Sequence, residues 1–516
     1  MSIISGLTTK QISQLSTTTI NLLTTADVQA LKSTQVAALS ATQINAITTA
    51  DLQAMDTTQI QAISTNAISG LLAATLINLT DTQGSNLGAA QIAALRTDEI
   101  AALDSTEIQA WTATQLGALT TKQLSGLTTT TLANFSTAEL GALTTSQVQG
   151  LTTTQLNTLG VTELNALDVT KFSSNQVKGL TSTTIGKLTA TQADALTATE
   201  IGLLSTTQIT ALDTTDIQGW STAQLGALTS SQLSGLSTTV LLEFTPTQLG
   251  GLTSTQLRGI PAAQLNNIGT TQLNAISAVS FSTQQISGLN ATGIGNLTDT
   301  QLTGLTAAQV AALNTTALSS ITSTDVQAWT TAQLGALTVT QLGGLNATDV
   351  ANFSTAQLGN LTPTQVHSFS GTQLNNLGAT ELNALNATSF STVQVSGLNA
   401  TGISNLTATQ VGSLSTAQFA VITPTTFNSL SATELAALTT GQAGALTSSQ
   451  INALSSTKFA TLSETTALPA LSSSAIAGIT TQQITALSST QANSFTATQI
   501  GLMSSDQLAA LIPASA

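Results

Sequence analysis

Apolar residues recur along this chain with a period of eight: an Ile, Leu or Val stands at one place, a Leu three residues later, then Thr or Ser, and Gln, Glu or Asp closes the unit. Written out, the octad is [ILV]-x-[AG]-L-[TS]-[TSA]-x-[QED], and the stretch Leu116–Leu127 shows it plainly. The spacing is that of a helix start used again and again. Thr120 is a good N-cap, and Gln123, three residues on, can reach back to the cap amide as a capping box. Leu119 and Leu124 then take the two positions that a hydrophobic staple brings together. Each helix must be short, because the next Leu-Thr pair starts another cap, and Gly126 reads as a glycine that terminates one.

Other structures fit the period less well. A continuous helix turns about 100° per residue, so its apolar pair would rotate with every octad and leave no seam. A strand would put the two apolar positions on opposite faces. The expected fold is therefore an all-α solenoid with one short capped helix per octad, the alternative being a β-solenoid. Trp111 and Phe135 lie 24 residues apart, as do the larger residues Asn134 and Thr158 at a place normally held by Ala or Gly, which predicts three helices per coil.

The octads run in phase from Ile4 to Leu164, where a five-residue unit, Leu164 to Asp168, interrupts them; the same break follows at Leu273 and Leu382, 109 residues apart each time. These units omit the Thr-x-x-Gln cap, so they are expected to shorten one side of a coil, with a bend or change of twist. Trp111, Trp220 and Trp329 repeat with the same spacing, and a super-repeat begins near Ile60, Val169, Ala278 and Ala387. One residue is inserted near Ala467. The unbroken pattern predicts a single repeat array over residues 1–516.

Composition narrows the chemistry. Only 6% of the 516 residues are charged and the formal balance is −14, which argues against a surface that tracks nucleic-acid phosphates. There is no Cys, hence no disulfide framework and no thiolate metal site. His367 is the one histidine, at a place where other octads carry Gly, Ser, Asn or Gln, so no catalytic set can be assembled and neither enzyme activity nor a cofactor is expected. Glu107, Glu139, Glu163 and Glu200 all hold the last octad place, where a carboxylate meets a helix N-terminus. Asp56, Asp104, Asp168 and Asp213 hold the cap place and read as N-caps before they read as calcium ligands. The Asn-Ala-Thr triplets at Asn290, Asn346, Asn386 and Asn399 match a glycosylation sequon, but Asn at that place is also a cap. The three tryptophans replace the Leu and read as core. No stretch is apolar enough for a membrane span. Met1 to Leu7 has no basic region or long apolar core of an export leader.

Runs such as LGALTTSQVQGLTTTQL and LTPTQVHSF resemble the Thr/Ala/Gln-rich repeat regions of large bacterial secreted surface proteins, the adhesin and S-layer-like proteins. The resemblance spans nearly the whole chain. It implies an extracellular or cell-surface location, export without a cleaved signal, and a matrix or filament role with a cell-surface anchor, although no carboxyl-terminal secretion or anchoring module is evident. Two functional classes follow: a structural protein stacking head to tail into a filament, fibre or surface layer, and the stalk of an adhesin. Ice binding by Thr ladders is an outsider. No non-repetitive head interrupts the octads, which favours self-assembly, with Ile4 and Leu7 at one end meeting Leu508 and Leu511 at the other.

Overall fold

The computed structural model describes residues 3–515; Met1 and Ser2, at the head of the stretch read for an export leader, lie outside the described residues. Among the described residues are 60 short α-helices, five 3-10 turns and no strand, so the fold is an all-α solenoid and the β-solenoid alternative falls. No helix among them is long and apolar enough to cross a membrane. The chain divides into two units, Met1–Gly259 and Ile260–Ala516.

Both units repeat one local event. Thr120 leaves its backbone extended (φ −81°, ψ 155°) and the helix Thr121–Gly126 begins behind it. The Gln123 amide donates to the Thr120 hydroxyl at 3.2 Å, and the Thr120 amide donates to Gln123 Oε1 at 2.7 Å. Leu119 and Leu124, the staple pair, are both buried. The helix stops when Leu127 turns extended (φ −69°, ψ 145°), which makes that residue the staple of the next cap.

Gly126 ends its helix as expected from sequence, and has a further task. No glycine among the described residues has a positive φ, and Gly126 is the last right-handed residue of its helix. What its place requires is close approach. A Cβ on Gly126 would lie 2.6 Å from Thr97 Cγ2, on the helix Thr97–Ile100 one coil away. At Gly259 the obstacle is backbone, the Ser230 carbonyl oxygen 2.2 Å from the built Cβ, whereas Gly117 has open space around it. Gly259→Ala should therefore cost about 1–3 kcal/mol, while Gly117→Ala should be neutral or stabilise by up to about 1 kcal/mol. Urea unfolding of the two variants checks the contrast.

Within each unit most helices pack on the element three further along the chain, the 3-10 turns counted. In the first unit Thr121–Gly126 contacts Thr145–Gly150, and in the second Thr283–Gly288 contacts Ala307–Ala312. Three helices therefore make one coil. Trp111 meets Phe135 edge-on at 6.4 Å in the same stacking relation. The core is the inside of the coils, filled by the two apolar octad places.

The five-residue units are full members of a coil. Leu164 lies in an ordinary helix, Val161–Ala166; the three residues are missing after Asp168, where a single 3-10 turn, Val169–Lys171, replaces a helix. Equivalent turns in the second unit are Ala278–Ser280 and Ala387–Ser389. Leu164, Leu273 and Leu382 are fully buried. Each turn buries a small residue (Val169, Ala278, Ala387) and a Phe (Phe172, Phe281, Phe390), so the large ring fills the space of a shortened side. The insertion near Ala467 is absorbed in a turn in which the Ala467 and Leu468 amides both donate to the Ser463 carbonyl.

Candidate functional site: the face between coils

The surface that recurs throughout this molecule is the one by which a coil meets its neighbour. At its centre is the last octad residue. Gln123 is 5% exposed. Its Oε1 accepts the bond from Thr120 within its own helix, and its Nε2 donates to the carbonyls of Ile92 and Leu95, both at 2.7 Å, in the coil beneath. Gln155 does the same to Leu124 (2.8 Å) and Leu127 (2.6 Å). Gln341 repeats it in the second unit, on Val310 (2.8 Å) and Leu313 (2.7 Å). One amide thus caps a helix and ties two coils.

The sequence distances of these bonds record the coil. They are 31 and 28 residues for Gln123. Across the short turn they fall to 28 and 25 for Gln176, which bonds Val148 and Leu151. Past the insertion they rise to 32 and 29 for Gln483. The tie is kept whatever the coil length.

This second bond was missed from sequence, where Gln and Glu seemed interchangeable as capping-box acceptors. The available signal was the preference for Gln, since an amide donates and a carboxylate cannot. Where Glu99 takes the place, fully buried, Arg96 supplies the donors: its guanidinium donates to the Leu71 carbonyl at 2.9 Å and the Ser69 carbonyl at 2.6 Å and forms an ion pair with Glu99 Oε1 at 3.0 Å. Burial pushes the Glu99 carboxyl upward against the opposing pull of the Arg96 amide and charge. Lys171, in the short turn, likewise reaches the Leu143 carbonyl at 2.7 Å.

The other candidate residues fall into place around this face. Asp56, Asp104, Asp168 and Asp213 are N-caps, and so are Asn290, Asn346, Asn386 and Asn399. Hydrogen bonds from Thr58 and Thr170 hold the Asp56 and Asp168 carboxyls below the usual range. Glu107, Glu139 and Glu200 are buried at the third helical position, and Glu163 is half-buried there. His367 is exposed at a helix C-cap. Trp111, Trp220 and Trp329 are buried, and Trp329 Nε1 donates to the Leu302 carbonyl at 3.2 Å. No group of three or more His, Asp or Glu side chains able to hold a metal occurs among the described residues.

Of the four residues expected to form end contacts, Ile4 and Leu511 are buried within the chain, while Leu7 and Leu508 are half-buried. Leu15 and Leu23 are half-buried beside Leu7, whereas the equivalent Leu119 and Leu127 in the interior are buried. Near the other end Ile500 is 38% exposed. One terminal face thus presents the Leu of the octad and the other its first apolar residue. Sequence could not tell which place faces which way.

No curated protein matches the chain. Residues 92–129, a segment that holds both Thr120 and Gln123, match the family described as the ALTTAQ repeat, which supports a repeat region there.

Proposed function

We propose that the chain is an extracellular structural protein of bacterial cell-surface type, without catalytic activity, whose copies stack head to tail into a filament, fibre or surface layer. The observation that carries this reading is the genericity of the face between coils: backbone carbonyls on one side, glutamine amides and leucines on the other, repeated with little change. A coil with the glutamine donors can therefore be received by the carbonyls of another. The half-buried Leu7, Leu15 and Leu23 and the exposed Ile500 are less covered than their interior counterparts. In this proposal a second copy of the chain covers them.

Joining unlike faces is a heterologous contact, which propagates as a filament when its rotation does not close into a ring. With 6% charged residues the association should depend little on salt. The surface location rests on the resemblance of the octads to repeats of secreted surface proteins. Negative-stain microscopy of the purified chain over a range of concentrations tests the proposal. Filaments that lengthen with concentration are expected; single particles at every concentration would overturn it and favour the stalk of an adhesin.

A further inference from the structure

Two coil junctions in the first unit differ from the glutamine-tied ones in being all acid. At Asp104/Glu107 and at Asp213/Asp216 both members of the capping box are acids. The Asp104 amide donates to Glu107 Oε2 at 3.0 Å and the Asp213 amide to Asp216 Oδ2 at 3.0 Å, so the acceptor half of the box is intact. The donor half is lacking. Glu107 is 6% exposed and Asp216 4%, in the register from which a glutamine would donate to Leu76 and Leu79, or to Ile185 and Leu188, in the coil beneath.

No cation repairs these junctions in the way that Arg96 repairs Glu99. The charged groups that face Glu107 are Asp104 on its own cap and Asp81 on the helix beneath, Asp81–Ser85; the helix that follows in the stack, Thr129–Leu132, has none. Those that face Asp216 are Asp213 on its own cap and Asp194 on Ala190–Asp194 beneath, and the packed helix Thr238–Glu243 above brings Glu243 against Asp213. All are acids.

We propose that these two junctions are proton-operated: a proton on Glu107 or Asp216 supplies the missing donor, relieves the repulsion between the acids, and tightens the coil against its neighbour. A proton suits the place better than a metal ion. Glutamine Nε2 sits 2.7 Å from the carbonyls it binds, a distance that accommodates a shared hydrogen, whereas a calcium ion would need 2.3–2.6 Å to several oxygens at once. Burial raises the Glu107 carboxyl above its ordinary range against the lowering bond from the Asp104 amide, with the charges of Asp104 and Asp81 adding to the rise, and burial outweighs the Asp213 amide in the same way at Asp216, where the charges of Asp213 and Asp194 add. Burial also raises Glu243.

The sign follows from proton linkage. A carboxyl raised in the folded state contributes stability that is complete below its unfolded pKa and is lost as pH rises through the folded one. The two junctions should hold in weak acid and loosen toward neutrality. This inference is independent of self-assembly, because it concerns neighbouring coils of one chain.

Amide hydrogen exchange of the full chain at pH 5 and pH 7.5, corrected for intrinsic rates, tests it. Protection of the helices Ser105–Gln109 and Thr214–Gln218 should rise toward acid by about tenfold for each unit of pKa difference, while the glutamine-tied helix Thr121–Gly126 stays level. The double variant Glu107→Gln, Asp216→Gln restores the ordinary octad residue and should show acid-like protection at pH 7.5 with no further response. Equal protection of the wild type at both pH values, a parallel change in Thr121–Gly126, or a pH response kept by the variant would overturn the proposal. So would acid-like protection produced at pH 7.5 by millimolar calcium alone.

Discussion

Gln123→Ala should destabilise its coil by about 2–4 kcal/mol, more than the loss of a helix cap explains. The capping bonds alone are worth about 1 kcal/mol. From sequence, removing both Thr120 and Gln123 would cost on the order of 1–2 kcal/mol. The larger figure comes from the other end of the amide: without Nε2 the Leu95 carbonyl loses its donor in a buried place, while the Ile92 carbonyl keeps the Leu95 amide, and the unmade bond costs roughly 1–3 kcal/mol when no water replaces it. Gln123→Glu separates the two roles. It keeps the acceptor for Thr120 and removes the donors, so it should retain the helix yet weaken the junction. Hydrogen exchange across residues 92–127, with urea unfolding for the total, reads both variants. A Gln123→Glu chain as stable as the wild type at neutral pH would mean that the tie between coils contributes nothing.

Phe427→Ala should be costlier still, at about 3–5 kcal/mol. Phe427 has no exposed surface and meets Phe419, on the preceding helix, edge-on with ring centroids 5.7 Å apart at 90°. Its removal opens a cavity inside a coil and forfeits the aromatic contact. Phe427→Leu, which restores the usual octad residue, should cost less than about 1.5 kcal/mol. In a repeat array the damage stays near the site, so calorimetry should show a separate early transition instead of a uniform shift. If Ala and Leu behaved alike, packing at this place would not be limiting.

The parts of this fold that were legible in sequence are those decided within eight residues. Thr120, Gln123, Leu119 and Leu124 interact along one short segment, so their spacing was enough to place the cap, the staple and the helix between them. The three-helix coil was legible because Trp111 and Phe135 happen to be large and meet. The second bond of Gln123 was not, since its acceptors lie 28 and 31 residues earlier and carbonyls leave no mark in sequence. Gly126 was read as the end of its helix and is its last residue, but the close approach of Thr97 in another coil, which requires a glycine there, was not legible. The short units were seen as a phase shift at Leu164, but only the structure shows that the missing residues belong to the turn after Asp168. The direction of the end faces was likewise a property of stacking and invisible in any single octad.

Head-to-tail stacking makes a demand that no other association meets: the two faces must be unlike and each must be necessary. Leu15→Lys places a charge on one terminal face and Ile500→Lys places one on the other, both at sites that are not fully buried in the chain. Sedimentation velocity of the two variants, apart and mixed, is the most direct test. Each alone should remain a single chain while the wild type forms long species, and the equimolar mixture should give a discrete two-chain species, because one intact face of each kind remains. A mixture that stays monomeric beside an assembling wild type, or a wild type that never assembles, would contradict the account.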